Sequence, residues 1–360
     1  MTTSPPAGPS ETPDRSAAPG APAAEELGLR LCALIARERD VPREAVRLHD
    51  LRRMAGGASR ELWSVDVEIR GEHLALVLRR DPPGRVGESD RGLEFRVLRA
   101  AAGAGVPVPR VLFCDPAGEA TGSPCFLMER VAGETLARRL LRDPQFAKAR
   151  RVMTAQLGAT LARIHSLDPG DPGLAGLPTT PPDVLPGRAD VLTTAERARS
   201  LALEPHPVLE LAERWLLARV PARNRRTVVH GDFRIGNVIF DSEGLRSVLD
   251  WELSHVGDPL EDLAWLCART WRFGNDALPV GGIGSRDELV ASYEAAGGEK
   301  VDRTALRFWE VAANFRIAVV WLSQSRTFLD GKVQSVELAS LGRRTAESED
   351  ELLRLLREEP

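Results

Sequence analysis

The chain has 360 residues, 43% of them hydrophobic, and a formal net charge of −4. This length suggests about two domains with a sizeable core, and the charge argues against bulk binding of nucleic acid or anionic membranes. No apolar run approaches the roughly 20 residues needed to cross a bilayer, and the N-terminus has no basic-then-apolar signal, so we expect a cytoplasmic protein. The four cysteines include no CxxC pair, which favours buried thiols over a zinc or redox motif.

The first third of the chain predicts a tail followed by a small lobe. Residues 1–23 are rich in Pro, Ala, Ser and Thr and are expected to be disordered. A helix is predicted near 25–39, because leucine and isoleucine recur there on one face. Alternating apolar residues then predict two strands, one from Val65 to Ile69 and one starting at Leu74.

Gly56 and Gly57 stand just before the first of these strands. Two glycines permit a close backbone approach, so their amides could cover phosphates. A plain turn into a hairpin is the alternative. A helix from Glu94 and two strands at 111–114 and 126–129 complete an order typical of a small nucleotide-binding lobe.

The remainder of the chain predicts a mainly helical part. Residues 168–187, rich in Pro, Gly and Asp, indicate a long loop, and such loops are often functional. Helices are predicted from 151 and at 193–203, 208–218, 260–271, 287–296, 306–328 and from 348, with short strands at 227–229, 238–240 and 246–249.

Four polar residues within one short stretch form an ordered pattern: His230, Asp232, Asn237 and Asp250. In protein kinases an Asp is followed five residues later by a magnesium-binding Asn, and a metal-binding Asp comes further on. Asp232 and Asn237 have that spacing. Because magnesium prefers oxygen ligands, Asn237 and Asp250 are candidate ligands, and Asp232 is expected to stand apart and orient an acceptor hydroxyl.

Taken singly, these residues would also suit a strand–turn–strand segment with polar turn residues. As one ordered pattern they favour phosphoryl transfer. His230 is interpreted as structural, because its ring can hydrogen bond to the backbone near Asp250 and hold the two strands together.

The segments HGDFRIGN and VLDWELSHVGDPLEDLAW resemble the aminoglycoside phosphotransferase / choline kinase family of kinase-like enzymes. The resemblance is closest to the subgroup that also occurs fused to acyl-CoA dehydrogenases, and it extends over residues 50–330 through GGASRELW, LVLRRDPPG, EFRVLRAA, VPVPRVL and FLMERVAGE. It implies an α+β, protein-kinase-like fold: a small N-terminal antiparallel-sheet lobe (24–131) and a larger, mostly helical C-terminal lobe (132–360).

The resemblance also implies roles for individual residues. Asp232 is the catalytic acid/base candidate, and Asn237 and Asp250 bind Mg²⁺. The nucleotide is ATP, with GTP as the alternative. The implied nucleotide-binding residues are Gly57 and Ser59 over the phosphates, Arg79 paired with Glu94, and the backbone from Glu129 to Val131 at the adenine.

One departure from the family at large concerns Arg79, where lysine is usual. Arginine keeps the charge and can grip both Glu94 and a phosphate, but it is longer and planar. In the fused subgroup arginine looks usual at this position. We therefore do not interpret Arg79 as the mark of an inactive enzyme.

Two further acidic residues, Asp258 and Asp262, invite a metal interpretation, but structural roles are favoured. Asp258 can cap the helix that begins at Pro259. Asp262 lies in the first turn of that helix, where the helix dipole favours a negative charge.

The acceptor pocket is expected to be built from the 168–187 loop and the C-terminal helices, whose aromatic residues either line it or form helix core: Trp271, Phe273, Trp309, Phe315 and Trp321. The sequence thus predicts an ATP- and Mg²⁺-dependent phosphotransferase acting on a hydroxyl of a small molecule, such as a hydroxyacyl-CoA or hydroxy acid. An aminoglycoside or macrolide antibiotic phosphotransferase and a nucleotide-binding pseudokinase are the alternatives. We expect a monomer or homodimer without nucleic-acid or membrane partners.

Overall fold

The computed structural model describes residues 21–54, 61–82, 90–222 and 225–357. The chain divides into two compact units: unit 1 comprises Met1–Val86 and Phe113–Leu127, and unit 2 comprises Gly87–Leu112 and Met128–Pro360. The helix predicted from Glu94 thus groups with the larger unit. The predicted tail lies outside the described residues except for its last three positions, which begin the first helix.

Unit 1 contains most of a five-stranded sheet with the strand order β1-β2-β3-β5-β4. Its strands are β1 (Val46–Arg53), β2 (Glu61–Ile69), β3 (Glu72–Arg80), β4 (Val111–Asp115) and β5 (Cys125–Glu129). The pairs β1–β2 and β2–β3 are antiparallel. The strand β1 was not predicted, because its charged and polar residues hide the alternation.

The helix α1 (Ala21–Glu38) packs on β1 and covers one face of this unit's core. Leu27, Leu31, Leu34 and Ile35, which the periodicity placed on one face, are all buried. Burying four such side chains contributes about 1.5–3 kcal/mol each, so this face ties the helix to the sheet.

Unit 2 is mostly helical. Its helices are α2 (Arg91–Gly103), α3 (Ala137–Arg142), α4 (Ala147–Ile164), α5 (Pro186–Leu201), α6 (Pro207–Leu217), α7 (Leu260–Cys267), α8 (Arg286–Ala295), α9 (Arg303–Leu329), α10 (Val336–Leu341) and α11 (Thr345–Arg357). The long helix α9 contacts α5, α6, α7, α10 and α11. It therefore forms the centre of the helical packing, and the fold is α+β, as the sequence predicts.

Two short pairs of strands carry the polar stretch of unit 2. The strand β6 (Thr227–Val229) pairs with β9 (His255–Gly257), and β7 (Val238–Asp241) forms a hairpin with β8 (Gly244–Val248). The strand β9 was not predicted, because three residues are too few to show a period. No described helix is both long enough and apolar enough to span a membrane.

The four cysteines are free; three are buried and Cys114 is half-buried. The expectation of buried thiols is thus confirmed for Cys32, Cys125 and Cys267.

A close contact between α4 and α8 makes Gly158 a sensitive position. A Cβ atom there would lie 2.7 Å from the Leu289 carbonyl oxygen and 3.0 Å from the Tyr293 nitrogen. Because overpacking costs about 1–3 kcal/mol, we expect Gly158→Ala to lower the free energy of unfolding by that amount in urea denaturation. Gly103→Ala, at a helical position with open space around it, is the control and should leave stability unchanged or raise it by up to about 1 kcal/mol. Equal effects of the two substitutions would contradict this packing.

Candidate active site

The polar residues predicted from the 230–250 stretch lie at the ends of the short strands. The strand β6 leads into Asp232 through Gly231, whose φ is +82° and whose Cβ would lie 2.4 Å from the Leu253 carbonyl oxygen. Only glycine accepts both conditions. Asn237 ends a 3₁₀ turn just before β7, and Asp250 follows β8 in the left-handed region, with φ +66°.

The carboxylate of Asp232 accepts hydrogen bonds from three side chains. Asn237 donates from Nδ2 at 2.6 Å, and Trp265 donates from Nε1 at 2.7 Å. The Nε of Arg234 lies 3.1 and 3.2 Å from the two carboxylate oxygens. The Asp232 side chain remains 15% exposed, so it is held in one orientation yet can still be reached by a ligand.

This arrangement corrects one expectation: Asp232 does not stand apart from Asn237. The Asn237 amide donates both to the Asp232 main-chain oxygen, at 3.0 Å, and to its carboxylate. With the amide nitrogen engaged, the Oδ1 of Asn237 is the atom left to serve as a metal ligand.

Asn237 and Asp250 are brought to the same end of the β7–β8 hairpin. Val238 pairs with Val248, and the Leu249 N–H donates to the main-chain oxygen of Asn237 at 2.8 Å. Asp250 is half-buried. An amide oxygen and a carboxylate are hard oxygen donors that suit Mg²⁺, so this pair fits the predicted ion.

His230 is fully buried and has the structural role that the sequence predicts. Its Nε2 lies 3.0 Å from the Leu249 oxygen, and its Nδ1 accepts from the Asp232 N–H at 3.2 Å. The centre of the ring lies 4.7 Å from that of Trp251, with the two ring planes at 53°. Since a carbonyl oxygen can only accept, Nε2 carries the proton. The ring therefore joins the Asp232 loop to the end of β8.

Asp262 holds the same loop from the other side. Its buried carboxylate accepts from the main-chain N–H groups of His230, at 2.7 Å, and Gly231, at 3.0 Å, and lies 3.2 Å from the Nε2 of His165. Burial alone would raise the pKa of this carboxyl group, but the His165 contact and the His230 N–H hold its pKa below the ordinary value. The structural role and the place of Asp262 in the first turn of α7 agree with the prediction, whereas its hydrogen bonds to the loop were not predicted.

Asp258 caps α7, as predicted. Its Oδ1 accepts from the Leu260 N–H at 2.9 Å, and its own N–H donates to Glu261 at 3.1 Å. This reciprocal pair resembles a capping box. The helix begins at Leu260 rather than at Pro259.

The predicted nucleotide residues fall in different parts of the chain. Gly57 and Ser59 lie outside the described residues. Arg79 lies on β3 in unit 1, whereas Glu94 lies in α2 in unit 2, where it forms a buried ion pair with Arg91. Because Arg79 and Glu94 belong to different units, their pairing stays a prediction.

The segment predicted to meet the adenine lies at the end of the small sheet. Glu129 ends β5, and its N–H donates to the Arg110 oxygen at 2.8 Å. Val131 follows in the irregular connection. The role of this backbone also stays a prediction.

Arg234 and Trp265, which both donate to Asp232, were not singled out from the sequence. The Arg234 guanidinium lies 4.5 Å from the centre of the Trp271 ring, and Arg316 lies 4.4 Å from that of Trp265. These cation–π contacts support Arg234 and Trp265, two of the three side chains that donate to the Asp232 carboxylate. No local signal marks Trp265, because it comes from a helix 33 residues further on.

A cavity of about 370 Å³ lies next to Trp271, which forms part of its wall together with Phe273 and three arginines: Arg138, Arg269 and Arg344. The 168–187 loop contributes no residue to this cavity, so its role in an acceptor pocket stays a prediction. Of the other aromatic residues considered for the pocket, Trp309, Phe315 and Trp321 are buried. This agrees with the alternative that they form helix core.

Comparison with known proteins gives a consistent picture. Residues 13–309 match the family described as "Phosphotransferase enzyme family". Acyl-CoA dehydrogenase family member 11 of Rattus norvegicus is 36% identical over 266 residues, which is 68% of this chain and 32% of the relative. The chain thus spans about one third of that protein's length.

Two solved structures share the fold. A protein described as a candidate aminoglycoside phosphotransferase from Ralstonia eutropha superposes with a TM-score of 0.71 and 22% identity, covering 91% of this chain and 97% of that one. A thermostable mutant of aminoglycoside phosphotransferase APH(4)-Ia, in complex with AMP-PNP and hygromycin B, gives a TM-score of 0.59 and 17% identity, covering 91% and 99%. The fold is therefore that of these kinase-like enzymes, as the resemblance implied.

The buried contacts of Asp262 generate a stability prediction. We expect Asp262→Asn to lower the free energy of unfolding at pH 7 by about 3 kcal/mol, because an uncharged amide replaces a buried carboxylate that accepts from two main-chain N–H groups, and hydrogen bonds to a charged group contribute about 1.5–3 kcal/mol each. A carboxyl group whose pKa is lower in the native than in the unfolded state stabilises the native state at pH values above its unfolded pKa, and this stabilisation is lost as the pH falls. The difference in unfolding free energy between wild type and Asp262→Asn should therefore shrink below pH 3.8, the ordinary pKa of aspartate.

Asp258→Asn, just before the same helix, is the matched control, since asparagine caps as well as aspartate. Urea unfolding at several pH values measures both variants. A difference between wild type and Asp262→Asn that stays constant down to acid pH would contradict the stabilising role of the ionised carboxylate.

Proposed function

The chain belongs to the phosphotransferase enzyme family, and on that basis we propose that it transfers the γ-phosphoryl group of ATP to a hydroxyl of a small, negatively charged molecule. Asp232 orients the hydroxyl, and Asn237 and Asp250 hold Mg²⁺. The observation that carries this proposal is the Asp232 carboxylate, fixed by three donors and bonded directly to Asn237.

The geometry suits a reaction that depends on alignment. Phosphoryl transfer passes through a loose transition state, so the protein contributes positioning and charge stabilisation rather than a covalent nucleophile. With Trp265 and Asn237 fixing its two oxygens, the Asp232 carboxylate offers an acceptor for the substrate hydroxyl proton without further rearrangement. When bound, Mg²⁺ supplies charge neutralisation at the nucleotide phosphates.

The remaining nucleotide contacts belong to the same proposal. Gly57 and Ser59 cover the phosphates, Arg79 contacts them while paired with Glu94, and the backbone from Glu129 to Val131 binds the adenine. They rest on the family motifs at these positions.

The cavity beside Trp271 supports an anionic acceptor. Its wall carries three arginines but only two acidic residues, Asp276 and Glu347. Arginine binds carboxylates and phosphates through paired hydrogen bonds. A series of contacts links the cavity to Asp232. Trp271 in the cavity wall contacts Arg234, and Arg234 donates a hydrogen bond to the Asp232 carboxylate.

This charge balance favours a hydroxy acid or a hydroxyacyl-CoA over a polycationic aminoglycoside, which the arginines would repel. Both proposed acceptors pair a hydroxyl with an anionic group. The rat relative's name contains acyl-CoA, which is consistent with the second of them. Hygromycin B bound to a protein of the same fold keeps antibiotic phosphorylation as the alternative to be tested.

The role of Asp232 can be tested by Asp232→Asn. We expect turnover to fall about 10²–10⁴-fold, the usual contribution of a positioned acid or base, with ATP affinity nearly unchanged. Transfer of label from γ-labelled ATP to a metabolite extract measures turnover, and calorimetry measures binding. Glu243→Gln, in the exposed β7–β8 turn, should behave as wild type.

Full activity of Asp232→Asn would overturn the assignment. Binding of Mg²⁺-ATP by the wild type without any labelled product across a broad hydroxyl library would favour the pseudokinase interpretation instead.

The acceptor class can be tested by Arg138→Gln with Arg142→Gln as control. Both arginines are exposed and lie in α3, but only Arg138 lines the cavity. Losing one hydrogen bond to a charged group costs about 1.5–3 kcal/mol, so the KM for hydroxy acids or hydroxyacyl-CoAs should rise about 10–100-fold, with kcat retained. Preferential phosphorylation of aminoglycosides or macrolides, or equal effects of the two variants, would refute an anionic acceptor.

A further inference from the structure

We propose that His49, Glu68 and His73 form a zinc-binding site on the sheet of unit 1. The three residues come from the neighbouring strands β1, β2 and β3. One ligand atom from each lies within 4.8 Å of the other two. Within the described parts of the chain, no other three His, Cys, Asp or Glu residues converge in this way.

The strand register explains how the residues meet. Glu68 and His73 are direct partners in the antiparallel β2–β3 ladder, so their side chains project from the same face. His49 lies at a register shift in β1, between Leu48 and Asp50. Such bulges commonly re-aim a side chain, and here the imidazole reaches Glu68. The ladder fixes the backbones of Glu68 and His73 before any ligand arrives, and the paired residues on either side of the shift, Leu48 and Asp50, hold that of His49.

The atoms are already near the spacing that zinc needs. The Oε2 of Glu68 lies 3.0 Å from the Nε2 of His49 and 3.7 Å from the Nε2 of His73. The two imidazole rings are 5.4 Å apart between centroids, with their planes at 36°. Ligand atoms about 2.0–2.1 Å from a tetrahedral ion lie about 3.3 Å from one another. Only small side-chain rotations would therefore close the three groups around one ion.

The chemistry of the donors selects the ion. Two imidazole nitrogens and one carboxylate oxygen suit zinc, whereas Mg²⁺ takes oxygen ligands. The side chains of His49 and His73 are 46% and 73% exposed, and that of Glu68 is 22% exposed. The ion can thus enter from solvent, and water can fill a fourth position.

The same contacts allow a simpler arrangement, in which the two imidazoles only hydrogen bond to the carboxylate. That arrangement predicts no gain from a divalent ion. The difference between a hydrogen-bonded cluster and a metal site is therefore measurable directly by binding.

The test uses untagged, EDTA-treated, full-length protein titrated with Zn²⁺ by calorimetry in excess Mg²⁺, which occupies the oxygen ligands proposed at Asn237 and Asp250. We expect one Zn²⁺ per chain and a rise in Tm. Co²⁺ in place of Zn²⁺ should give the visible absorption of a tetrahedral nitrogen–oxygen site.

Three variants remove a ligand each: His49→Gln, Glu68→Gln and His73→Gln. Each should weaken Zn²⁺ binding by more than the roughly 10–100-fold that loss of an outer-shell partner costs, and should abolish the rise in Tm. His206→Gln is the matched control, because His206 also contacts a glutamate, Glu349, at 2.9 Å. Asp250→Asn controls for binding at the proposed Mg²⁺ ligands. Both controls should bind Zn²⁺ like wild type.

Several results would overturn the site. They are the absence of saturable binding near one equivalent, unchanged affinity in the three ligand variants, or loss of the signal in Asp250→Asn or His206→Gln. None of these outcomes depends on the phosphotransferase assignment, because no activity is measured.

Discussion

The arrangement of the candidate active site depends on one buried carboxylate. Asp262 accepts two consecutive main-chain N–H groups, those of His230 and Gly231, and thereby fixes the backbone that leads into Asp232. One turn further along the same helix, Trp265 donates directly to the Asp232 carboxylate. The helix α7 therefore positions both the backbone that leads into Asp232 and the Asp232 side chain. Since β9 pairs with β6 just before α7 begins, the helix and the loop are held in register by adjacent strands.

The second support comes from the hairpin that carries the candidate magnesium ligands. His230 bonds through one ring nitrogen to the Asp232 N–H and through the other to the Leu249 oxygen. The N–H of Leu249 in turn donates to the main-chain oxygen of Asn237. One imidazole thus links the loop that carries Asp232 to the hairpin that carries Asn237 and Asp250. Such preorganisation matters because groups that are oriented before the substrate binds need no reorganisation during the reaction.

The sequence predicted those parts of the fold whose signal is local. Alternation along β2 and β3 is such a short-range pattern, and the structure shows both strands. The five-residue spacing from Asp232 to Asn237 is also local, but it did not predict the hydrogen bond between the two side chains. The strand β1 was missed because its buried face is interrupted by charge and a bulge. The bonds of Trp265 and Asp262 to the loop join residues 31 to 33 positions apart. No periodicity records such contacts, because they depend on where α7 packs.

The cavity that we propose for the acceptor lies in a different part of unit 2 from the contacts that fix Asp232. Two of the three arginines beside the cavity are already engaged by acidic groups: Arg269 lies 3.2 Å from Asp276, and Arg344 lies 3.2 Å from Glu347. Among the described residues Arg138 has no such partner, so it supplies the cavity's excess positive charge. A polycation would have to displace arginines from Asp276 and Glu347, whereas an anion can bind Arg138 without breaking a pair. The selectivity for an anionic acceptor that we propose therefore arises from the guanidinium group of Arg138. The proposed catalytic residue, Asp232, is positioned separately, by the buried contacts of α7.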